Sequence, residues 1–321
     1  MHGFTTGVHV LATAMLFAAP SMAQTVQVVD GSDREAFERS VRALVADQSP
    51  AQRQMFDSVL EICREFLGDG EDAYGRFDGM TLERFRAVGE RLLAAADRNK
   101  DGEVDEHELL RMRTQLAKSR RRANEASAAA TLRAIAAAQQ KVLHAGVIDV
   151  DGDGRGEFGY FGELSALTPV RNADGVGELR LEPPALSSKF VVRGRRFVWN
   201  GYYFQMWLPG EHGAPCAEAG QGGVDPKSMP DADAAERGFV CYAWPVERGV
   251  TGDGAFVIDQ CGEVVRTDND VQSYGGTDKV PSPLAAFTKG TKALDGSVLD
   301  EEPRNDGGRW ALDPQLARPM R

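Results

Sequence analysis

A change of periodicity at Gly146 divides this chain of 321 residues into two kinds of polypeptide. Before it, apolar residues recur at helical spacing almost without interruption; after it, short β-branched and aromatic runs are punctuated by Gly, Pro and Asp. Helices followed by strands define an α+β fold: a helical N-terminal region, then a long helix packed on an antiparallel β-sheet. Charge changes at the same place. Residues 24–148 carry 21 acids and 19 bases, residues 149–321 carry 27 and 18, so the later part holds −9 of the net −11. Such a surface repels a phosphodiester backbone, which argues against nucleic acid as a partner.

The first residues are set apart from the fold. Val10 to Ala19 is a short apolar run closed by Pro20 and followed by Ser21-Met22-Ala23. It is shorter than the ~20 residues that cross a bilayer and ends in small residues, the pattern of a signal peptide cleaved between Ala23 and Gln24. The expectation is a secreted or periplasmic protein with no transmembrane anchor. The first cysteine is Cys63, so no lipid-bearing thiol stands at the cleavage site. Behind it we expect a helical domain over 24–122, an α+β domain over 123–290 and a C-terminal tail over 291–321.

Within the helical part, Ser49 and Pro50 open a helix whose apolar positions Phe56, Val59, Leu60, Cys63, Phe66 and Leu67 share one face before Gly68. Cys63 therefore reads as a buried thiol. A faint repeat relates Asp30-Gly31, Glu35, Phe37 and Leu44 to Asp78-Gly79, Glu83, Phe85 and Leu92, with Ser32 or Asp33 and Thr81 placed to cap the two helices.

The densest signal is the run from Asp97 through Asn99, Asp101, Gly102, Glu103, Val104 and Asp105 to Glu108. Calcium takes six to eight oxygens at ~2.3–2.6 Å, and this twelve-residue spacing delivers them from one segment. Asp97, Asn99 and Asp101 offer side-chain oxygens, Glu103 its carbonyl, Asp105 a direct or water-borne ligand, and Glu108 the bidentate closure; Gly102 permits the turn. Phe85, Leu92 and Leu93 mark the entering helix, Leu109, Met112 and Leu116 the exiting one. Residues 81–118 thus resemble an EF-hand, which implies a calcium ion as ligand and either self-association by loop pairing through Val104 or a purely local structural role. His107-Glu108 is not a zinc-protease motif, because Arg111 stands where the second His belongs.

Asp149, Asp151 and Asp153 repeat the first half of such a loop, but Tyr160 occupies the twelfth position. With Glu157 or Glu163 to supply the missing oxygen they form a candidate second metal site, the competing reading being a polar Gly-rich turn. Strands are expected at Lys189–Val192, Phe197–Leu208, Phe239–Val246, Ala255–Asp259 and Glu263–Thr267, with Pro209–Gly238 as a loop. Trp199, Tyr203, Phe204, Trp207, Tyr242 and Trp244 read as core and rim packing more than as a ligand-stacking surface. If the hairpin turns near Val250-Thr251, Cys241 and Cys261 stand opposite each other as a candidate disulfide.

Ala123-Asn124-Glu125-Ala126-Ser127-Ala128, Thr131 to Ile135 and Ala138-Gln139 resemble the helix after the membrane segment of type IV pilin-like and pseudopilin proteins. The resemblance continues through residues 149–164, Gly201 to Phe204, Tyr242 to Pro245, Phe256 to Gln260 with Gly262 to Val264, and Ala285 to Phe287. It implies a pilin-like head over about 123–289, no catalytic activity, and contact with envelope proteins. The hydrophobic assembly helix of that family is absent here, a signal peptide and the acidic loop standing in its place. No Gly-x-Ser-x-Gly elbow or His-centred set appears. The reading is an exported, non-catalytic calcium-binding protein, with an envelope assembly or adhesion component as the alternative and a secreted hydrolase behind both.

Overall fold

The structure is a computed structural model, and it describes residues 27–67, 74–100, 105–173, 175–299 and 303–312. The chain divides into two compact units, Met1–Arg113 and Thr114–Arg321.

The first unit contains α1 (Arg34–Val45), α2 (Pro50–Leu67), α3 (Leu82–Ala96) and the start of α4 (Glu106–Ala145). The caps are those the sequence offers. Asp33 accepts from Ala36 N at 2.8 Å, Thr81 from Arg84 N at 3.5 Å, and Ser49 from Gln52 N at 3.4 Å. The three helices close on Phe37, Phe56, Val59, Leu60, Cys63 and Phe85, with Tyr74 and Phe77 beneath them. Phe56 and Phe85 stack at 5.7 Å. Fully burying such a side chain contributes about 1.5–3 kcal/mol. Gly89 lets α2 and α3 approach, since a Cβ there would stand 2.9 Å from Val59 Cγ2.

Arg64 ties α2 to α1 by forking onto both oxygens of Glu38 at 2.6 Å, and this hydrogen bonding holds the Glu38 carboxyl down at about 2. The faint repeat has a physical counterpart. Val29 and Gly79–Met80 exchange backbone hydrogen bonds at 2.9 Å, with an antiparallel bridge from Val28 to Thr81, so the two Asp-Gly turns lie side by side.

In the second unit α4 ends at Ala145 and Gly146 follows with φ +60°, the left-handed terminator its position implied. Then come the short turn α5 (Phe161–Leu164), the two-residue pair β1 (Arg171–Asn172) and β2 (Gly175–Val176), and an antiparallel sheet. Its strands are β3 (Phe197–Trp199), β4 (Tyr202–Pro209), β5 (Pro215–Ala217), β6 (Val240–Pro245), β7 (Ala255–Asp259), β8 (Val265–Thr267) and β9 (Ala311–Leu312), with the helical turn α6 (Ala232–Ala235) between β5 and β6. The order is β3-β4-β6-β7-β8-β9, and β5 pairs with the far end of β4.

Side-chain alternation gives the sheet two apolar faces. Phe204, Met206, Leu208, Cys241, Ala243, Phe256 and Ile258 share one core with Ala128, Ala129, Leu132, Ile135 and Val142 of α4. Trp207, Val240, Tyr242, Trp244 and Val257 form the other, closed by Tyr274, Ala286, Phe287, Leu294, Val298 and Trp310. Those covering residues lie in chain without helix or strand of its own, and short polar side chains pin it. Asp259 accepts from Ser297 Oγ at 2.7 Å and Val298 N at 2.8 Å; Asp306 accepts from Tyr274 at 2.7 Å and Trp310 Nε1 at 3.0 Å; Trp244 Nε1 donates to Gly276 O at 2.9 Å.

Several expectations change. Phe197–Leu208 is two strands, because Asn200 (φ +44°) and Gly201 (φ +75°) turn the chain back on itself. Lys189–Val192 is not a strand: Val192 is buried by packing, while the backbone there finds no ladder partner. The Pro209–Gly238 loop contains β5 and α6, and the stretch read as a tail from 291 carries Leu294, Val298 and Trp310 into the second core. The register sets Ile258, not Cys261, opposite Cys241; Cys261 lies in the exposed turn past β7, and all four cysteines are free thiols. No helix among the described residues is long and apolar enough to cross a membrane.

Candidate metal centres

The first acidic loop runs from the end of α3 to the start of α4. Asp97 caps α3, its N–H reaching Leu93 O at 2.7 Å, while its Oδ1 accepts from Lys100 N at 2.6 Å in a turn where Lys100 takes φ +63°. At the other end Asp105 and Glu108 form a reciprocal cap. Asp105 Oδ1 accepts from Glu108 N at 2.7 Å, and Glu108 Oε2 accepts from Asp105 N at 3.4 Å. Glu108, only 5% exposed, also folds back over the loop entrance, its Oε1 accepting from Arg98 N at 2.8 Å and Asn99 N at 3.2 Å. Asp97, Asn99, Asp105 and Glu108 are thus held around one turn of chain. Asp101 and Glu103, like Gly102 and Val104, lie outside the described residues. The donors are oxygens alone, chemistry suited to a hard divalent cation.

The second acidic loop splits its expected ligands. Asp149 serves the backbone, accepting from Gly152 N at 2.8 Å and Gly154 N at 3.1 Å, with both glycines at positive φ. Glu157 turns inward: it accepts from Val150 N at 2.7 Å and pairs with Arg171 Nη2 at 2.7 Å. Asp151 and Asp153 remain at the surface, and there they meet two acids absent from the sequence reading. One carboxylate oxygen of each of Asp151, Asp153, Asp233 and Glu236 lies within 4.8 Å of the others.

Beneath this loop Glu157 and Glu163, the two residues expected to supply the missing oxygen, are drawn into a buried network around Arg171 that sequence reasoning missed. Arg171 reaches Glu163 Oε2 at 2.8 Å, Glu157 Oε2 at 2.7 Å and Phe158 O at 2.7 Å, and all three charged side chains are at most 1% exposed. Burial raises the Glu157 carboxyl and Arg171 opposes it. Glu218 lies nearby, fully buried, with Oε1 accepting from Gly162 N and Gly223 N at 2.8 Å each; burial pushes its carboxyl up to about 8. Gln139, also buried, pairs both of its amide atoms with Gly159 and so fixes the loop to α4. These groups converge through topology, and no local motif marks them. Comparison with protein families, with characterised proteins and with solved structures finds no match to this chain.

Proposed function

We propose that this is an exported, non-catalytic calcium-binding protein in which the loop from Asp97 to Glu108 closes on one calcium ion and fixes the junction of α3 with α4. The observation that carries the reading is Glu108. The twelfth residue of the loop that Asp97 opens is buried and bent back onto the backbone of Arg98 and Asn99, so that the loop's last oxygens stand at its first turn. A permanently filled site of weak affinity, about 10⁻⁴–10⁻³ M, suits an extracellular module. Isothermal titration of calcium into the metal-stripped full chain tests this: Glu108→Gln is expected to remove one site. No calcium-dependent heat at millimolar concentration, or a stoichiometry unchanged by Glu108→Gln, would overturn the proposal. Export is tested by the N-terminus of the mature protein, expected at Gln24.

A second reading, a pilin-like head in an envelope assembly, is favoured by one observation: the small residues Ala128, Ala129 and Ala136 of α4 share a core with an antiparallel sheet. It requires an envelope-bound fraction in cells. Recovery of the protein wholly in soluble fractions after cross-linking would remove it.

A further inference from the structure

We propose that the second unit holds a calcium site of its own, built by Asp151 and Asp153 of the acidic loop and by Asp233 and Glu236 at α6. This set does not depend on the loop from Asp97 to Glu108.

The geometry points to calcium. The four carboxylate oxygens lie within 4.8 Å of one another. Two ligands on opposite sides of a calcium ion at ~2.3–2.6 Å stand about 4.6–5.2 Å apart, so no pair of these oxygens is spaced beyond what one calcium ion spans. A site assembled from carboxylates on two separate segments also suits the cation that tolerates irregular coordination.

Glu236 supplies the independent evidence. Its side chain is 9% exposed, and its Oε1 is buried with no hydrogen-bond partner. A buried carboxylate oxygen left unanswered is an exception that a proton, a water or a cation completes, and beside three further acids a cation is the completion that also offsets their charge. The cation found beside these acids among the described residues is Arg155, whose Nη1 stands 3.5 Å from Glu236 Oε2 and whose Nε stands 3.8 Å from Asp153 Oδ2. Both distances exceed a good charge-assisted hydrogen bond, the Arg155 side chain is 72% exposed, and one positive charge faces four acids.

The two segments are already registered. Phe158 N donates to Ala235 O at 3.0 Å, the rings of Phe158 and Phe239 lie 5.0 Å apart, and Asp231 caps α6 through Ala234 N at 2.9 Å. The twelfth-position glutamate that the acidic loop lacks at Tyr160 is thus supplied by Glu236, and an ion here clamps the 209–238 excursion onto the loop.

The test is calcium titration of the full chain carrying Glu108→Gln, followed by isothermal calorimetry, with far-UV circular dichroism as the folding control. One residual site is expected. Asp233→Asn, an exposed substitution that keeps the fold, and Glu236→Gln should each weaken it at least tenfold, and Arg155→Gln should tighten it several-fold by removing a competing cation. Magnesium alone should bind at least tenfold more weakly. Absence of the residual site overturns the proposal, as does residual binding indifferent to both Asp233→Asn and Glu236→Gln. If the wild type and Glu108→Gln each bind one calcium that Asp233→Asn abolishes, the site proposed here stands and the first-loop reading fails.

Discussion

Replacing Arg171 by Met tests the buried network most directly. The substitution keeps the aliphatic volume but removes the guanidinium that stands 2.7 Å from Glu157 and 2.8 Å from Glu163, where none of the three side chains is more than 1% exposed. Each carboxylate keeps backbone donors, Glu157 from Val150 and Glu163 from Tyr160 and Arg171, yet neither keeps a countercharge. Breaking a buried pair from one side costs about 3–5 kcal/mol. For a unit of this size each kcal/mol moves Tm by about 2–4 °C, so Arg171→Met should lower it by about 6–20 °C. Trp199, Trp207, Trp244 and Trp310 are the four tryptophans of the chain and all belong to the second unit, so their fluorescence during heating isolates its transition. The deficit should shrink as pH falls, because burial raises the Glu157 carboxyl and without Arg171 to oppose it the native state binds a proton that the unfolded chain has released. Adding Glu157→Gln and Glu163→Gln should restore most of the loss, since a neutral network leaves no unpaired charge. A fall of less than about 2 °C at pH 7 would refute the reasoning, showing that the three charges are not held in a dry interior.

Three further outcomes are expected. The Glu218 carboxyl, pushed up to about 8 from 4.5, keeps its proton in the folded chain across that window while the unfolded chain releases it; stability is therefore fully present below about 4.5 and falls as pH rises towards 8, by up to about 1.4 kcal/mol per unit, and urea titrations of Glu218→Gln should lack that slope. Gly201→Ala places a Cβ 2.8 Å from Thr251 Cβ at φ +75° and should cost at least about 1 kcal/mol by the same titrations; a neutral result would contradict the turn. A maleimide should label exposed Cys261 in the native protein and spare Cys63, whose thiol burial pushes up to about 11, along with buried Cys216 and Cys241; a peptide bridging Cys241 to Cys261 would contradict the strand register.

Legibility in the sequence followed the range of the interaction. The span of α2, the cap at Thr81, the stop at Gly146 and the limits of β7 were all readable, with Asp33 one of two cap candidates, because each is decided by residues within one or two turns. Asn200-Gly201 was a strong hairpin signal hidden inside a continuous apolar run. The second core had a signal too: Val240–Pro245 contains no polar residue and is buried throughout, the mark of a strand covered on both faces, which a one-sided sheet does not require. Asp233 and Glu236 had none, since only tertiary folding carries them to Asp151 and Asp153. Glu157 fits the spacing of a metal ligand, but a partner distant from any motif, Arg171, holds it in the interior.

The cover over the sheet's second face imposes an order on biosynthesis. Trp207, Tyr242 and Trp244 are made well before Val298 and Trp310, which seal them. A nascent chain that has finished β8 therefore still presents a bare aromatic wall, and the polar pins at Asp259 and Asp306 cannot engage until the last stretch is available. Completion of this unit is a late, all-at-once event, with the interval before it the time of greatest exposure to aggregation. Truncation before Trp310 should therefore act on folding yield far more than the loss of a few irregular residues suggests.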